Sequence, residues 1–401
     1  MRTSTTATRI TRIAVASSVT AAVVALAGCS GGTSGSTTGA TSSASAAAAG
    51  PAVDLSGVCP ATVVAQTDWN PEADHAHLYQ MLGPNPSIDT EKKSVTGDLY
   101  ANGKPTGVKL EIRAGGPAIG FATTSAQMYQ DKSITIGYVS TDEAVQFSGN
   151  LPTTAVFAEN DKSPMAVMWD PKTYPDVKTI ADLGKALQQD KGVVRYFNGA
   201  AYMTYLTESG ILPKSVTDGS YDGTPAKFVT AKGKDGQQGF ATAEPYVYEH
   251  EVGAWSKPLA YQLIADTGWS PYPETMSVRS GDLTKLTPCL KKLVPVMQQA
   301  DVDYFKDPAP TNDLIVKLVN SYNNGWAYDA EVGAFAAEQM RKLDIATNGD
   351  NDYVGDLSEK RVEDFMKVAV PVFQQTGGHV KSGLKAGDLY TNEFLDTSIG
   401  F

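Results

Sequence analysis

ATVVAQTDWNPEADHAHLY, residues 61–79, is the stretch that decides how the fold begins. Its first half, through Trp69, predicts a buried β-strand because it is short and mostly apolar. Asn70-Pro71-Glu72 then predicts the start of a helix, since Asn is a favoured N-cap and Pro is tolerated at the first helical position. The helix should continue through Tyr79 and end at Gly83-Pro84. A strand followed by a helix is the building unit of α/β proteins.

The residues that follow repeat this alternation of strand and helix. Strands are predicted at 108–113 and 133–139. Helices are predicted at 121–129 and 143–147, and Ser140-Thr141-Asp142 caps the second of them. This order predicts the α/β fold class, with a mostly parallel sheet flanked by helices.

A second alternating unit begins near Pro152, and the chain then returns to the first. Residues 226–230 are predicted to form one of its short strands. We predict that residues 54–152 and 266–401 form lobe 1 and that residues 153–265 form lobe 2. Two crossings between the lobes make a hinge and a cleft, and ligands bind to such sheets where strand ends and helix N-termini converge.

The N-terminal residues have the pattern of an export signal. Residues 1–28 contain three arginines and then an uncharged stretch that is too short to span a bilayer permanently. The stretch ends in Leu26-Ala27-Gly28-Cys29, which resembles the bacterial lipobox, whose Cys receives a diacylglyceryl group before cleavage. We expect lipidation at Cys29, which would anchor the protein at the extracytoplasmic face of the cell membrane. An ordinary secretory signal and a signal anchor are the alternatives.

Residues 29–53 are rich in Ser, Gly, Thr and Ala and predict a flexible tether. The rest of the chain has a globular composition, because the whole sequence is 42% hydrophobic and 9% aromatic. The net charge is −11, and removal of residues 1–28, which contain three arginines and no acid, makes it −14. An acidic surface argues against nucleic-acid binding. No other apolar stretch is long enough for a transmembrane helix.

Three cysteines are present, and one of them is the predicted lipidation site. The other two, Cys59 and Cys289, are expected to form a disulfide in an oxidising compartment. Two separate buried thiols are the alternative. The sequence contains no CxxC pattern and no Cys/His cluster, so no metal site is predicted.

Three segments together resemble one protein family. Residues 67–79 read TDWNPEADHAHLY, residues 238–246 read QGFATAEPY, and residues 388–395 read DLYTNEFL. They look like motifs of the binding proteins for thiamine-pyrimidine precursors and related heterocycles, such as riboflavin-like compounds. The resemblance spans most of the chain from about residue 60, and it implies the two-lobed type II periplasmic-binding-protein fold. It also implies a monomeric solute-binding lipoprotein that delivers a small nitrogen-heterocyclic ligand to an ABC permease and its ATPase.

Several residues near predicted strand ends have side chains that suit such a ligand. Trp69 offers a flat π-face for stacking, and a buried core Trp is the alternative. His75 and Glu244 offer polar contacts from opposite lobes, with capping or surface exposure as the alternatives. The remaining ligand-binding candidates are two aromatic residues and two helix starts whose backbone N–H groups can hold polar ligands: Tyr79, Tyr246, Thr141, Asp142, Asn198 and Gly199.

Catalysis is not predicted. The sequence has no GxSxG elbow, Walker A loop or HExxH motif. Eukaryotic relatives of the family make the thiamine pyrimidine with a Cys-rich iron motif, whereas the three cysteines here are far apart, so neither an enzyme nor a cofactor is expected. The alternatives are a pyrimidine-synthase-like enzyme, a receptor for a sulfonate- or nitrate-type anion, and a sensor or adhesion module of the same fold.

Overall fold

A computed structural model describes residues 52–401. The predicted signal peptide, Cys29 and all but the last two residues of the predicted tether lie outside the described residues. Within the described residues, no helix is long and apolar enough to cross a membrane.

Two sheets organise the chain. In spatial order the first contains β2 (Ser87–Asp89), β3 (Ser94–Ala101), β4 (Lys104–Arg113), β1 (Thr62–Gln66), β5 (Ile136–Tyr138), β12 (Thr275–Arg279) and β6 (Thr153–Ala158). The second contains β11 (Ala260–Leu263), β7 (Met165–Trp169), β10 (Gly236–Phe240), β8 (Val194–Arg195) and β9 (Thr217–Asp218). The inner strands are almost wholly buried, as their apolar sequences require.

Helices cover the sheets. They are α1 (Ala76–Gln80), α2 (Thr124–Gln130), α3 (Thr141–Gln146), α4 (Ile180–Asp190), α5 (Ala201–Glu208), α6 (Ala226–Thr230), α7 (Glu244–His250), α8 (Leu283–Lys306), α9 (Ala309–Tyr322), α10 (Ala330–Lys342) and α11 (Glu359–Thr376). Helix α4 shows why such segments form: the Thr179 side chain caps it, and Ile180, Leu183 and Leu187 make a buried face. The prediction of a strand at 226–230 was wrong, because these residues form α6.

The predicted two-lobed α/β class is confirmed, but the sheets are mixed rather than mostly parallel. Strand β1 pairs in parallel with β4 and β5, and β8 pairs in parallel with β9 and β10. The remaining pairs are antiparallel. One cause is the hairpin between β3 and β4, which turns at Asn102-Gly103 with positive φ at both residues. The other cause is that β12 enters the first sheet after the second has been completed and runs antiparallel to both neighbours.

Strand β6 corrects one part of the predicted lobe limits. It was assigned to lobe 2, but it pairs with β12 in the first sheet from Thr153 to Ala158. The chain therefore crosses to the second sheet only after β6. The other lobe limits stay a prediction.

The two sheets share a continuous hydrophobic core on one side. Helix α11 packs against both α3 and α5. The ring of Trp269 lies 5.1 Å from Phe365, 6.0 Å from Phe373 and 5.6 Å from Tyr205, measured between centroids. These aromatic contacts connect the helices of the two sheets at the end of the second crossing.

Cys59 and Cys289 form the predicted disulfide, with Cα atoms 4.6 Å apart. It joins the segment before β1 to the first half of α8. The bond therefore ties the start of the described chain to the C-terminal helices that cover the first sheet.

Candidate ligand site

The β1–α1 segment, residues 67–75, turns sharply after the central strand of the first sheet. The Thr67 hydroxyl donates to the Trp69 carbonyl oxygen at 2.7 Å and accepts from the Gly115 N–H at 3.1 Å. A Cβ on Gly116 would lie 2.7 Å from the Trp69 ring, and Gly116 has a φ of +54°. Only glycine fits there without strain, so the Trp69 ring is held directly against the loop that follows β4.

Trp69 is half-buried and belongs to an aromatic cluster. Its ring centroid lies 6.0 Å from that of Phe121 and 6.0 Å from that of Trp326, which it meets edge-on. Trp326 stacks in turn on Tyr328. Phe121 is 68% exposed and has a φ of +60°. An exposed aromatic side chain on strained backbone beside a half-exposed Trp suits a flat or cationic ligand.

His75 is buried at the end of the same segment. Its Nε2 lies 2.9 Å from Asp68 Oδ1 and 3.7 Å from Glu274 Oε2. Its ring stacks on Tyr138 with centroids 4.7 Å apart. Burial alone would lower the pKa of His75, but the carboxyl groups of Asp68 and Glu274 outweigh burial and raise the pKa well above its usual value. His75 therefore lies between two carboxyl groups at the base of the segment.

Behind His75 lies a second, fully buried polar group. Glu159 accepts hydrogen bonds from the Tyr138 hydroxyl and from the His77 N–H, and its Oε2 lies 2.7 Å from His77 Nδ1. His77 and Glu159 are both at most 2% exposed. Because Tyr138 also stacks on His75, this group fixes the base of the β1–α1 segment.

Other acids crowd the segment. Burial, followed by the charges of neighbouring acids, raises the pKa of Glu274 to about 8. Burial is also the main reason that the pKa of Asp74 rises to about 6 and that the pKa of Glu72 rises well above its usual value. Concentrated carboxyl groups with raised pKa values are typical of functional sites.

Helix α3 adds one more acid, and its first residue, Thr141, is a predicted ligand contact. Glu143, in its first turn, accepts from the Ser125 N–H at 2.7 Å, and burial raises its pKa to about 7. Thr141 begins the helix as predicted, but its hydroxyl accepts from the Tyr272 N–H at 2.9 Å and its own N–H donates to the Tyr272 carbonyl oxygen. Thr141 therefore joins the first sheet to the returning chain rather than offering free donors. Asp142 stays a predicted ligand contact.

The β10–α7 segment, residues 241–246, occupies the corresponding position after a strand of the second sheet. Glu244 begins α7, with Pro245 at the next position, and its Oε2 accepts from the Phe240 N–H at 2.8 Å. Burial, partly offset by hydrogen bonds to the backbone, raises the pKa of Glu244 to about 7, and the charge of Asp74 contributes. The Thr242 hydroxyl donates to Asp74 Oδ2 at 3.4 Å. The two segments, and with them the two sheets, therefore meet at Asp74.

The remaining ligand-binding candidates are Tyr79, Tyr246, Asn198 and Gly199. Tyr79 is 2% exposed in the hydrophobic core, because α1 packs against α8 and α9. Tyr246 packs on Phe335 of α10, with ring centroids 5.5 Å apart. Asn198 and Gly199 are exposed before α5, where Gly199 has a φ of +84°. The ligand contacts of all four residues stay predictions.

Sequence reasoning missed several residues that the structure brings together. Asp68, Glu72 and Asp74 lie inside the quoted motif and could have been found there, because a run of acids at a strand end is unusual. Glu274 directly precedes β12, and its position after the second crossing was the available signal. No local signal identified Phe121 or Trp326, since only the tertiary fold places them beside Trp69.

Comparison with solved structures identifies the fold. The alkanesulfonate-binding protein SsuA from Xanthomonas axonopodis pv. citri, solved bound to MOPS, is 13% identical, with 83% of this chain and 99% of that chain covered and a TM-score of 0.50. The periplasmic nitrate-binding protein NrtA from Synechocystis PCC 6803 is 12% identical, with 83% of this chain and 87% of that chain covered and a TM-score of 0.51. No family model and no curated protein matches the sequence. The chain therefore has the periplasmic-binding-protein fold.

Proposed function

We propose that this protein is an extracytoplasmic solute-binding lipoprotein of an ABC importer. In this proposal a small nitrogen heterocycle that carries an amino group or a positive charge binds between the β1–α1 and β10–α7 segments. The fold supports a binding role, since the two similar structures are an alkanesulfonate-binding protein and a nitrate-binding protein. Anchoring through Cys29 and delivery to a permease and its ATPase complete the proposal.

The observation that carries the choice of ligand is the charge of the site. Glu72, Asp74, Glu143 and Glu244 form no salt bridge with a lysine or arginine anywhere in residues 52–401, and His75 lies between Asp68 and Glu274. Carboxylates accept hydrogen bonds from amino groups and pair with cations. The Trp69 cluster adds aromatic faces that favour flat or cationic groups.

Binding between the segments would also explain how a permease distinguishes the ligand-bound receptor from the free one. A ligand that contacts both segments favours the arrangement in which they are close, because only that arrangement provides all the contacts. The Thr242–Asp74 hydrogen bond already spans the two segments. A permease that recognises the closed lobes would then select the loaded receptor.

An anion receptor is the second candidate. The two similar structures are named for alkanesulfonate and nitrate, and an anion site would use Arg, Lys or helix N–H groups. Arg195, in β8 of the second sheet, is already paired with Asp218 and Asp235. The acids around Asp74 therefore favour the nitrogenous ligand over the anion.

A thermal-shift screen distinguishes the two candidates. The purified protein would be heated with thiamine, an aminopyrimidine, riboflavin and choline on one side, and with nitrate and an alkanesulfonate on the other. A ligand at 100 times its Kd adds about 2.7 kcal/mol to the free energy of unfolding. Stabilisation by a nitrogenous compound supports the proposal, whereas stabilisation by anions alone would overturn it.

A further inference from the structure

Three side chains from distant parts of the chain converge on a small volume at the base of the β1–α1 segment. They are Asp68, His75 and Glu274, whose ligand atoms all lie within 4.8 Å of one another. We propose that they bind a divalent transition-metal ion of the Zn²⁺ type. This inference goes beyond the proposed function, because it needs no organic solute.

The distances fit the coordination sphere of such an ion. Zinc binds His nitrogen at about 2.0–2.1 Å and carboxylate oxygen at about 2.0–2.2 Å, so two tetrahedral ligands lie about 3.3 Å apart. His75 Nε2 is 2.9 Å from Asp68 Oδ1 and 3.7 Å from Glu274 Oε2. These two separations bracket the tetrahedral value, and all three ligand atoms lie within 4.8 Å of one another.

The chemistry of the ligands selects the class of metal. Imidazole favours Zn²⁺, Fe²⁺ and similar ions, while a site made only of carboxylates would favour Mg²⁺ or Ca²⁺. One imidazole with two carboxylates therefore indicates a transition metal. Three protein ligands leave one position open, as in metal sites that also bind an exogenous molecule.

Two further observations point to an ion rather than to a simple acidic patch. His75 is 1% exposed, and its Nε2 is directed at both carboxylates. Glu274 Oε2 is shielded from solvent and has no hydrogen-bond partner within the described residues. A shielded, unpaired carboxylate oxygen is costly without a cation, and a metal would satisfy it.

The surroundings hold the ligands in place. The Tyr138 ring stacks on His75 at 4.7 Å with an interplanar angle of 27°, which fixes the orientation of the imidazole. Asp68 is held by the turn that Thr67 forms, and its side chain is 43% exposed. An ion could therefore enter from the side of Asp68 and meet two ligands that are already ordered.

No sequence pattern indicates this site, because its ligands do not follow a metal-binding spacing. Asp68 and His75 lie in the β1–α1 segment, and Glu274 arrives only with the strand that returns from the second sheet. A bound metal would thus link the β1–α1 segment to the chain that returns from the second sheet.

The test is calorimetric titration of Zn²⁺ into the full untagged chain after treatment with EDTA. We expect one ion per chain, and we expect Asp68→Asn to weaken binding at least about tenfold, in line with losses at other metal sites. Asp131→Asn is the matched control, since Asp131 is similarly exposed and also has a basic partner, Arg113. That variant should bind Zn²⁺ as the wild type does.

A spectroscopic readout separates ligation from folding. Co²⁺ bound at this site should give visible absorption bands that change in His75→Gln, while circular dichroism verifies that the variant is folded. Sub-stoichiometric Zn²⁺ binding, or Asp68→Asn with unchanged affinity, would overturn the proposal. Because no solute is present, either failure leaves the thermal-shift test of the proposed function untouched.

Discussion

The β1–α1 and β10–α7 segments occupy equivalent places after strands of the two sheets, yet they are built differently. The first gathers Asp68, Glu72, Asp74 and His75 over a buried polar group centred on Glu159. The second contributes one carboxyl, Glu244, held by a backbone N–H. Ionic groups are expensive to bury and are retained where they are used. We therefore propose that the first segment supplies most of the recognition and that the second closes on it.

The largest expected effect is on the free energy of unfolding, through the buried polar side chains that pack next to each segment. Glu159→Ala should lower the free energy of unfolding by about 3–5 kcal/mol, because it leaves several buried donors of His77 and Tyr138 unpaired. Glu159→Gln should lose less stability, since the amide oxygen can still accept a hydrogen bond. Urea denaturation of the three proteins measures the differences.

The matched change in the second sheet is Gln237→Leu. Gln237 donates to the Tyr248 hydroxyl at 2.5 Å, and both side chains are buried. Loss of this hydrogen bond between two neutral groups should lower the free energy of unfolding by only about 1–2 kcal/mol. Equal losses of stability in Gln237→Leu and Glu159→Ala would contradict the proposed difference between the two segments.

The disulfide is a second difference between the two sheets, since it links only segments that belong to the first sheet and its covering helices. Replacement of both Cys59 and Cys289 by Ser should lower the free energy of unfolding by about 2–5 kcal/mol. Reduction of the wild-type protein should reproduce the loss. Unchanged stability in both experiments would show that the bond does not constrain the fold.

Ligand affinity provides a smaller and more specific contrast. Trp69→Ala should weaken binding of the compound found by thermal shift at least about tenfold, or about 1.4 kcal/mol, through loss of the stacking surface. Tyr246→Phe should have a smaller effect, because it removes only the hydroxyl group and leaves the ring packed on Phe335. Titration calorimetry compares the two, and a larger effect of Tyr246→Phe would place the ligand elsewhere.

Much of the fold could be predicted from local sequence. The strand at 62–66 and the caps at Ser140 and Thr179 follow from patterns of a few residues, and the disulfide followed from cysteine counting. Strand directions were harder, because the return of β12 depends on a contact between distant segments. Residues 226–230 form a helix although a short strand was predicted, since the segment follows Pro225 and is too short for periodicity to decide.

The candidate site could be predicted only in part. Trp69, His75 and Glu244 were identified because they lie in motifs at strand ends. Thr141 and Tyr79 were placed at the right positions along the chain, but neighbouring segments use their side chains for structure. Glu143, Phe121 and Trp326 were missed, because their roles depend on packing between elements that are far apart in sequence.

The central claim is that carboxylates from both segments bind the solute, and the pH dependence of its affinity tests it most directly. Burial raises the pKa of Asp74, in the first segment, to about 6 and the pKa of Glu244, in the second, to about 7, and the charge of Asp74 contributes to the shift of Glu244. A cationic or amino-bearing ligand favours the ionised carboxylates and releases protons on binding.

Affinity should therefore rise between pH 6 and pH 8, by at most about tenfold per pH unit for each proton released. The measurement is calorimetric titration of the stabilising compound at both pH values in wild type and Glu244→Gln. We predict tighter binding at pH 8 and a smaller gain in the variant. Weaker binding at pH 8, or the same gain in Glu244→Gln, would contradict recognition by carboxylates from both segments.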